Sequence, residues 1–261
     1  MLEVHRLRKV FFEHTPNEKV ALDDLSLTLE EGDFVTVIGS NGAGKSTLLN
    51  VVAGEIRPEG GQVVIDGRDV TRLPDHKVAA WVGRVFQDPM AGTVPHGTIE
   101  QNLAMALSRG QRHGLRRGVT KAKRALFHDE LARLELGLES RMRTDVGLLS
   151  GGQRQALSLL MATFSKPNIL LLDEHTAALD PARAELVTRL TVDAVERHGL
   201  TTLMVTHNMH QALSMGNRLI MMHEGRIIYE LADEAKQRAT VEDLLHEFEK
   251  LKAVSDRTLL A

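Results

Sequence analysis

Phe34-Val35-Thr36-Val37-Ile38-Gly39-Ser40-Asn41-Gly42-Ala43-Gly44-Lys45-Ser46-Thr47-Leu48-Leu49 is the stretch on which the fold turns. Residues 34–38 have the composition of a buried strand, and 46–52 reads as a helix that Gly54 is placed to stop. Between them, Gly39 to Ser46 matches G-x-x-x-x-G-K-[ST]. In a strand-loop-helix setting the glycines free backbone N–H groups to wrap an anion, and the helix N-terminus faces its charge. The anion implied is the phosphate chain of ATP. Ser40, Asn41, Gly42, Ala43 and Gly44 form the cradle, Lys45 is the point charge for the β- and γ-phosphates, Ser46 offers a hydroxyl to Mg²⁺, and Thr47 reaches the α-phosphate side. A Gly-rich turn without a ligand is the competing structural reading.

Around this stretch, short apolar runs recur at 81–86, 169–172 and 201–205, with helix-compatible segments between them. Strands alternating with helices predict an α/β fold with a mostly parallel sheet, whose ligands gather at the carboxyl edge of the strands. Leu25, Leu27 and Leu29 alternate with polar residues ahead of the turn Glu30-Glu31-Gly32-Asp33, so a β-rich section precedes the phosphate loop. The segment from Pro89 to about Leu149 has helical Leu and Ala spacing and reads as a helical insertion. Near the end, Leu244, Leu245, Phe248 and Leu251 share one helical face and predict a docked helix.

The chain has 261 residues, 43% of them apolar, a formal charge of −3 and no cysteine. That length buries a full core. The absent basic excess argues against a general nucleic-acid binder, and the absent cysteine excludes disulfides and thiolate metal sites and fits a reducing compartment. Met1-Leu2-Glu3-Val4-His5 lacks a basic-then-apolar signal pattern, and no apolar run approaches the length of a spanning helix. Work at a membrane therefore implies a partner.

Further motifs fall at predicted strand ends. The run 169–172 ends in Asp173-Glu174, adjacent carboxylates that repel unless a cation or a reaction uses them. Asp173 is suited to the Mg²⁺ shell and Glu174 to orienting and deprotonating an attacking water; solvated acids capping a strand are the alternative. Gln87 and His207 end two other strands, placed to reach the metal and the γ-phosphate respectively, although a lone strand-end His is more often structural. Leu149-Ser150-Gly151-Gly152-Gln153 precedes a helical run, so Ser150 and the bare N–H groups of Gly151 and Gly152 form a second anion-seeking helix start.

With that segment the chain resembles the nucleotide-binding subunit of an ATP-binding-cassette (ABC) transporter. The resemblance covers nearly the whole chain: Walker A at Gly39 to Thr47, the Q-loop at Gln87, LSGGQ at Leu149 to Gln153, Walker B through Glu174, and the switch His207. It implies the ABC ATPase fold: a single domain with a phosphate-loop parallel-sheet core and an N-terminal antiparallel β subdomain (1–88 and 156–240), a helical subdomain (89–155) and a C-terminal helix (241–261). It also implies that two cassettes pair head to tail as a homodimer or paired cassette. Ser150, Gly151, Gly152 and Gln153 of one chain then close over ATP held at Lys45 of the other, and Asp180 of the D-loop Ala178-Leu179-Asp180 contacts the partner. The resemblance places Mg²⁺ on Ser46, Gln87 and Asp173, and catalysis on Glu174, His207 and Lys45. An aromatic residue upstream stacks on adenine in this family; Phe11 fits best with Phe12 as competitor, and Val20 packs on the base's other side.

The lack of fused membrane spans resembles bacterial importers, and so does the short Thr144-Asp145-Val146-Gly147 before LSGGQ. The implied partners are integral membrane permease subunits and, indirectly, an extracytoplasmic substrate-binding protein, with no nucleic acid. The implied location is cytoplasmic, peripheral on the inner face of the cell membrane. The wording at 83–90 and 174–180 resembles cassettes proposed to serve aromatic amino-acid importers. At His175 the chain departs from the family, where Pro follows the catalytic Glu; a neutral supporting residue and a direct effect on Glu174 are the two readings. His207 with His210 lacks a third metal ligand, and Met221-Met222 reads as core. Arg109, Arg112, Arg116, Arg117, Lys121, Lys123 and Arg124 form either a solvated helical face or a contact with anionic lipid. The runner-up function is a cytosolic ABC ATPase uncoupled from transport, such as a cluster-assembly type. A kinase or GTPase on another phosphate-loop fold leaves LSGGQ unexplained.

Overall fold

The computed structural model describes residues 1–111 and 118–259, with side chains through residue 250. The chain opens with β1 (Leu2–Phe11) and β2 (Lys19–Leu29), then β3 (Phe34–Gly39) and α1 (Lys45–Val52). β4 (Gly60–Ile65), β5 (Arg68–Asp69), α2 (Asp75–Val78) and β6 (Val82–Val85) follow. Next come α3 (Ile99–Leu107), α4 (Lys121–Ala132) and α5 (Gly151–Thr163), then β7 (Ile169–Asp173), α6 (Pro181–His198) and β8 (Thr201–Val205). The chain closes with α7 (Met209–Ser214), β9 (Arg218–His223), β10 (Arg226–Ala232), α8 (Asp233–Arg238) and α9 (Val241–Leu259).

These strands form two sheets. An antiparallel four-stranded sheet has the order β2-β1-β4-β5, and a six-stranded sheet has the order β10-β9-β3-β8-β7-β6, parallel except for the β9–β10 hairpin. The alternation in β2 is the expected one: Leu25, Leu27 and Leu29 are buried while Ser26 and Thr28 are exposed. Strands β3, β7 and β8 are instead buried on both faces, as strands covered on both sides must be. On one face, Val35, Val37, Leu171, Leu203 and Val205 pack with α1 and the inner face of the antiparallel sheet. On the other, Leu170, Leu172 and Met204 meet α5 and α6. Met221 and Met222 are fully buried, one on each face.

A further cluster joins α3, α4 and α5 through Ile99, Leu103, Phe127, Leu131 and Leu157. Helix α5 continues through residue 155 without a break, and its two faces serve this cluster and the sheet core. The middle of the basic segment, including Arg112, Arg116 and Arg117, lies outside the described residues. Of the rest, Arg124 is not a free surface charge: it holds Glu100 through two hydrogen bonds of 2.7 and 3.1 Å. The C-terminal helix docks through Leu244 and Phe248, but Leu245 is 46% exposed, because one apolar contact on this turn suffices against α7 and β10; the Leu251 side chain lies outside the described residues. Among the described residues, no helix is long and apolar enough to cross a membrane.

Phe127 is fully buried with its ring 5.7 Å from that of Phe164. Phe127→Ala should therefore destabilise the chain by about 3–5 kcal/mol in chemical denaturation, the cost of a large aromatic cavity.

Candidate nucleotide-binding site

Parallel pairing sets the strand ends level. Val37 pairs with Val205, Asp173 with Val205, and Val85 with Leu172, so the residues that leave β3, β8, β7 and β6 emerge along one edge. Those residues are the phosphate loop, His207, Glu174 and Gln87.

The loop is built on its glycines. Gly44 sits at φ +100, and a Cβ there would stand 2.3 Å from the Ala21 carbonyl oxygen, so only glycine permits the approach of β2. Lys45 begins α1 and is buried, its Nζ donating to the Gly39 and Ser40 carbonyls at 2.7 and 3.0 Å. Burial lowers its pKa, and the charges of Glu174 and Asp173 oppose that shift. A phosphate would offer this ammonium stronger acceptors than two neutral carbonyls.

Glu174 leaves β7 in a left-handed turn at φ +44, fixed by its own N–H donating to the Val205 carbonyl at 2.9 Å. Its Oε2 lies 3.2 Å from His207 Nδ1 and 3.5 Å from Gln87 Nε2. An ionised carboxylate only accepts, so Nδ1 carries the proton in this contact. Asp173 accepts from Arg84 at 3.1 Å; Arg84 also pairs with Glu55 at 2.8 Å and lies 4.6 Å over the Phe86 ring. Arg84 was not among the sequence candidates, although a charged residue inside the apolar run 81–86 was the signal available.

A cleft of ≈ 210 Å³ opens over the loop. Asn41 to Thr47 line it, with Glu174 on one side and Phe11, Lys19 and Ala21 on the other. Phe11 thus faces the cleft while Phe12 is 70% exposed outside it. Val20 lies between two lining residues of β2, and the alternation of the strand keeps it out of the lining. Lys19 and Ala21 went unnoticed in the sequence because nothing marks where β2 passes the loop.

Ser150, Gly151, Gly152 and Gln153 do not line this cleft. They start α5 with a capping box: Ser150 Oγ accepts from the Gln153 N–H at 3.3 Å, and Gln153 Oε1 accepts from the Ser150 N–H at 3.1 Å. Arg154 supports the segment by donating to the carbonyls of Val146, Gly147 and Leu149. Asp180 is exposed and caps α6, accepting from the Arg183 N–H at 3.2 Å. The phosphate loop and this second glycine-rich helix start therefore belong to one chain without sharing a cleft within it.

The match to known proteins follows the same order of motifs. Residues 22–177 match the family model described as ABC transporter. The chain belongs to that family. A tyrosine transport ATP-binding protein of Clostridioides difficile (strain R20291) is 43% identical over 95% of this chain and 99% of its own length. A methionine import ATP-binding protein, MetN, of Geobacillus kaustophilus (strain HTA426) is 34% identical over 87% of this chain, which spans 64% of that relative. The dimeric post-hydrolysis state of the ATP-binding cassette MJ0796 bound to ADP and Pi superposes with a TM-score of 0.76 at 28% identity, covering 89% of this chain and 98% of that one. The ABC ATPase fold expected from the motifs is thus the fold observed, and this ABC subunit binds ATP and hydrolyses it to power a transporter. The cytosolic alternative finds no support among these relatives.

His175 in this ABC chain turns away from the cleft. It is buried, and its Nε2 lies 3.0 Å from Thr191 Oγ1 on α6; because that hydroxyl donates to the Val187 carbonyl, Nε2 is the donor to it. Burial lowers its pKa from 6.5 to about 4. The unfolded chain therefore binds the extra proton between those values, and stability falls as pH drops from 6.5 towards 4. Wild type should lose on the order of 3 kcal/mol more than His175→Asn across that window. Urea denaturation at pH 7 and pH 4.5 checks the sign, and equal pH slopes would contradict it.

Proposed function

We propose that this chain is the ATPase subunit of a bacterial importer, working as a dimer of cassettes on membrane permease subunits at the cytoplasmic face. ATP sits on Ser40 to Thr47 with adenine on Phe11. Ser150, Gly151, Gly152 and Gln153 of the partner cassette close over the same phosphates, with Asp180 at the contact. The observation that carries this reading is that the cleft holding the phosphate loop and Glu174 lacks every LSGGQ residue, although Ser150 opens a helix at which an anion would be favoured.

The residues fit Mg²⁺. Ser46, Gln87 and Asp173 offer oxygen donors, and no group of His, Asp and Glu among the described residues could hold a metal alone. Oxygen donors of this kind suit Mg²⁺. When bound it neutralises charge on the β- and γ-phosphates. Lys45 moves from its loop carbonyls to the phosphates. Glu174 orients water and takes its proton, while His207 Nδ1–H holds the carboxylate in place.

The likeness to a tyrosine transport protein over the whole length supports an aromatic amino acid as cargo, delivered by an extracytoplasmic substrate-binding protein. Residues 89–155 act as the helical subdomain against a core of 1–88 and 156–240. A few residues beyond Gln87 in the chain, a groove of ≈ 360 Å³ is lined by Ala91, Gly92, Val94, Met105 and Met161, with Val94 and Met105 about half exposed. The permease docks there, and Gln87 links its motion to the site.

Glu174→Gln should bind ATP yet lower phosphate release by on the order of 10² to 10⁴, the loss expected for a general base. Light scattering on that variant should show a dimer only with ATP; wild-type turnover would remove Glu174 from the role. Gln87→Ala should lower permease-stimulated ATPase more than basal ATPase, with crosslinks to the permease concentrated between Gln87 and about Leu107. Crosslinks confined to α9 would contradict the docking surface.

A further inference from the structure

Behind the Glu174–His207 pair lies a chain of hydroxyl and amide contacts that the site described so far does not use. Gln211, on α7, sits at its centre. Its Oε1 accepts from the Thr206 hydroxyl at 2.8 Å, and its Nε2 donates to the hydroxyls of Thr176 and Thr188 at 3.2 and 3.3 Å. Thr206 immediately precedes His207, and Thr176 follows Glu174 by two residues. Thr188 lies on α6 and donates its own proton to the Ala184 carbonyl at 2.8 Å, which leaves its oxygen to accept from Gln211. The amide is locked at its backbone too, because Asn208 Oδ1 caps α7 by accepting the Gln211 N–H at 3.1 Å. His175 pins the same segment to α6 one turn further on, through Thr191.

We propose that Gln211 is a positioning residue for hydrolysis, which holds Glu174 and His207 in register by tying the segments that carry them to each other and to α6. This rests on the reading of Glu174 as general base. A single planar amide has one acceptor and one two-proton donor on opposite edges. Gln211 spends the acceptor on the His207 segment and the donor on the Glu174 segment, so neither strand end shifts without breaking a hydrogen bond in a half-buried place. Asp180, the residue proposed at the cassette contact, caps helix α6, so pairing of cassettes and alignment of the catalytic pair share one rigid element.

The test compares Gln211→Leu and Gln211→Glu in steady-state ATP hydrolysis, with Glu174→Gln alongside. Leu keeps the volume and loses the bonds; Glu accepts from Thr206 and can accept a hydrogen bond from the Thr176 hydroxyl. Gln211→Leu should lower kcat about 10-fold with KM for ATP within about twofold, since a small misplacement of a catalytic group costs that much or more. Gln211→Glu should recover most of the loss. Adding Gln211→Leu to Glu174→Gln should lower the residual turnover no further, because both act through the same carboxylate. Unchanged kcat in Gln211→Leu overturns the proposal. So does a loss that persists undiminished in the Glu174→Gln background, which would mark a merely structural role. If instead Glu174→Gln itself turns over like wild type, the general-base reading fails, and that outcome is distinguishable from failure of Gln211 alone.

Discussion

Parallel hydrogen bonding among β3, β8, β7 and β6 is the constraint on which the rest depends. β3, β8 and β7 are buried on both faces, and the register Val37↔Val205↔Asp173 is fixed by which apolar side chains fill each face. A one-residue slip would exchange the two faces of a strand. The same register delivers the phosphate loop, His207, Glu174 and Gln87 to one edge. The geometry of this edge is thus a by-product of core packing, and α1 and α6 brace it from opposite faces.

The electrostatics of the edge are arranged for a guest with negative charge. Burial lowers the pKa of Lys45 while Glu174 and Asp173 favour its charged form, and its Nζ rests on carbonyls that a phosphate outcompetes. Asp173 is steadied by Arg84, which also reaches Glu55 at the end of the α1 segment. Glu174 is steadied by His207. Asp173 has Arg84 as partner, and Glu174 has His207 and Gln87, which offsets the repulsion between the adjacent carboxylates.

Much of this was legible in the sequence, for identifiable reasons. The phosphate loop, the strand-end acids and LSGGQ announce themselves because backbone cradles and helix starts need glycine and small capping residues at fixed spacing. The strands were legible because double burial leaves continuous apolar runs. What escaped were contacts made by distant segments: Arg84 on Asp173, Lys19 and Ala21 lining the cleft, and the Gln211 hub. These depend on strand order and on where β2 crosses the loop, which local patterns do not encode. Leu245 shows the converse, a periodic apolar position that the docked helix leaves in solvent because Leu244 and Phe248 already fill the contact. His175 was visible as a departure, but its partner on α6 was not.

The central claim is that the hydrolytic site is completed between two chains. Mixing tests it most directly, using purified Lys45→Ala and Ser150→Arg proteins, each expected to be inactive alone. In a mixed dimer, one site combines an intact phosphate loop from one chain with an intact LSGGQ segment from the other. The account predicts that phosphate release and ATP-dependent dimers reappear on mixing. A mixture as inactive as either parent would contradict it.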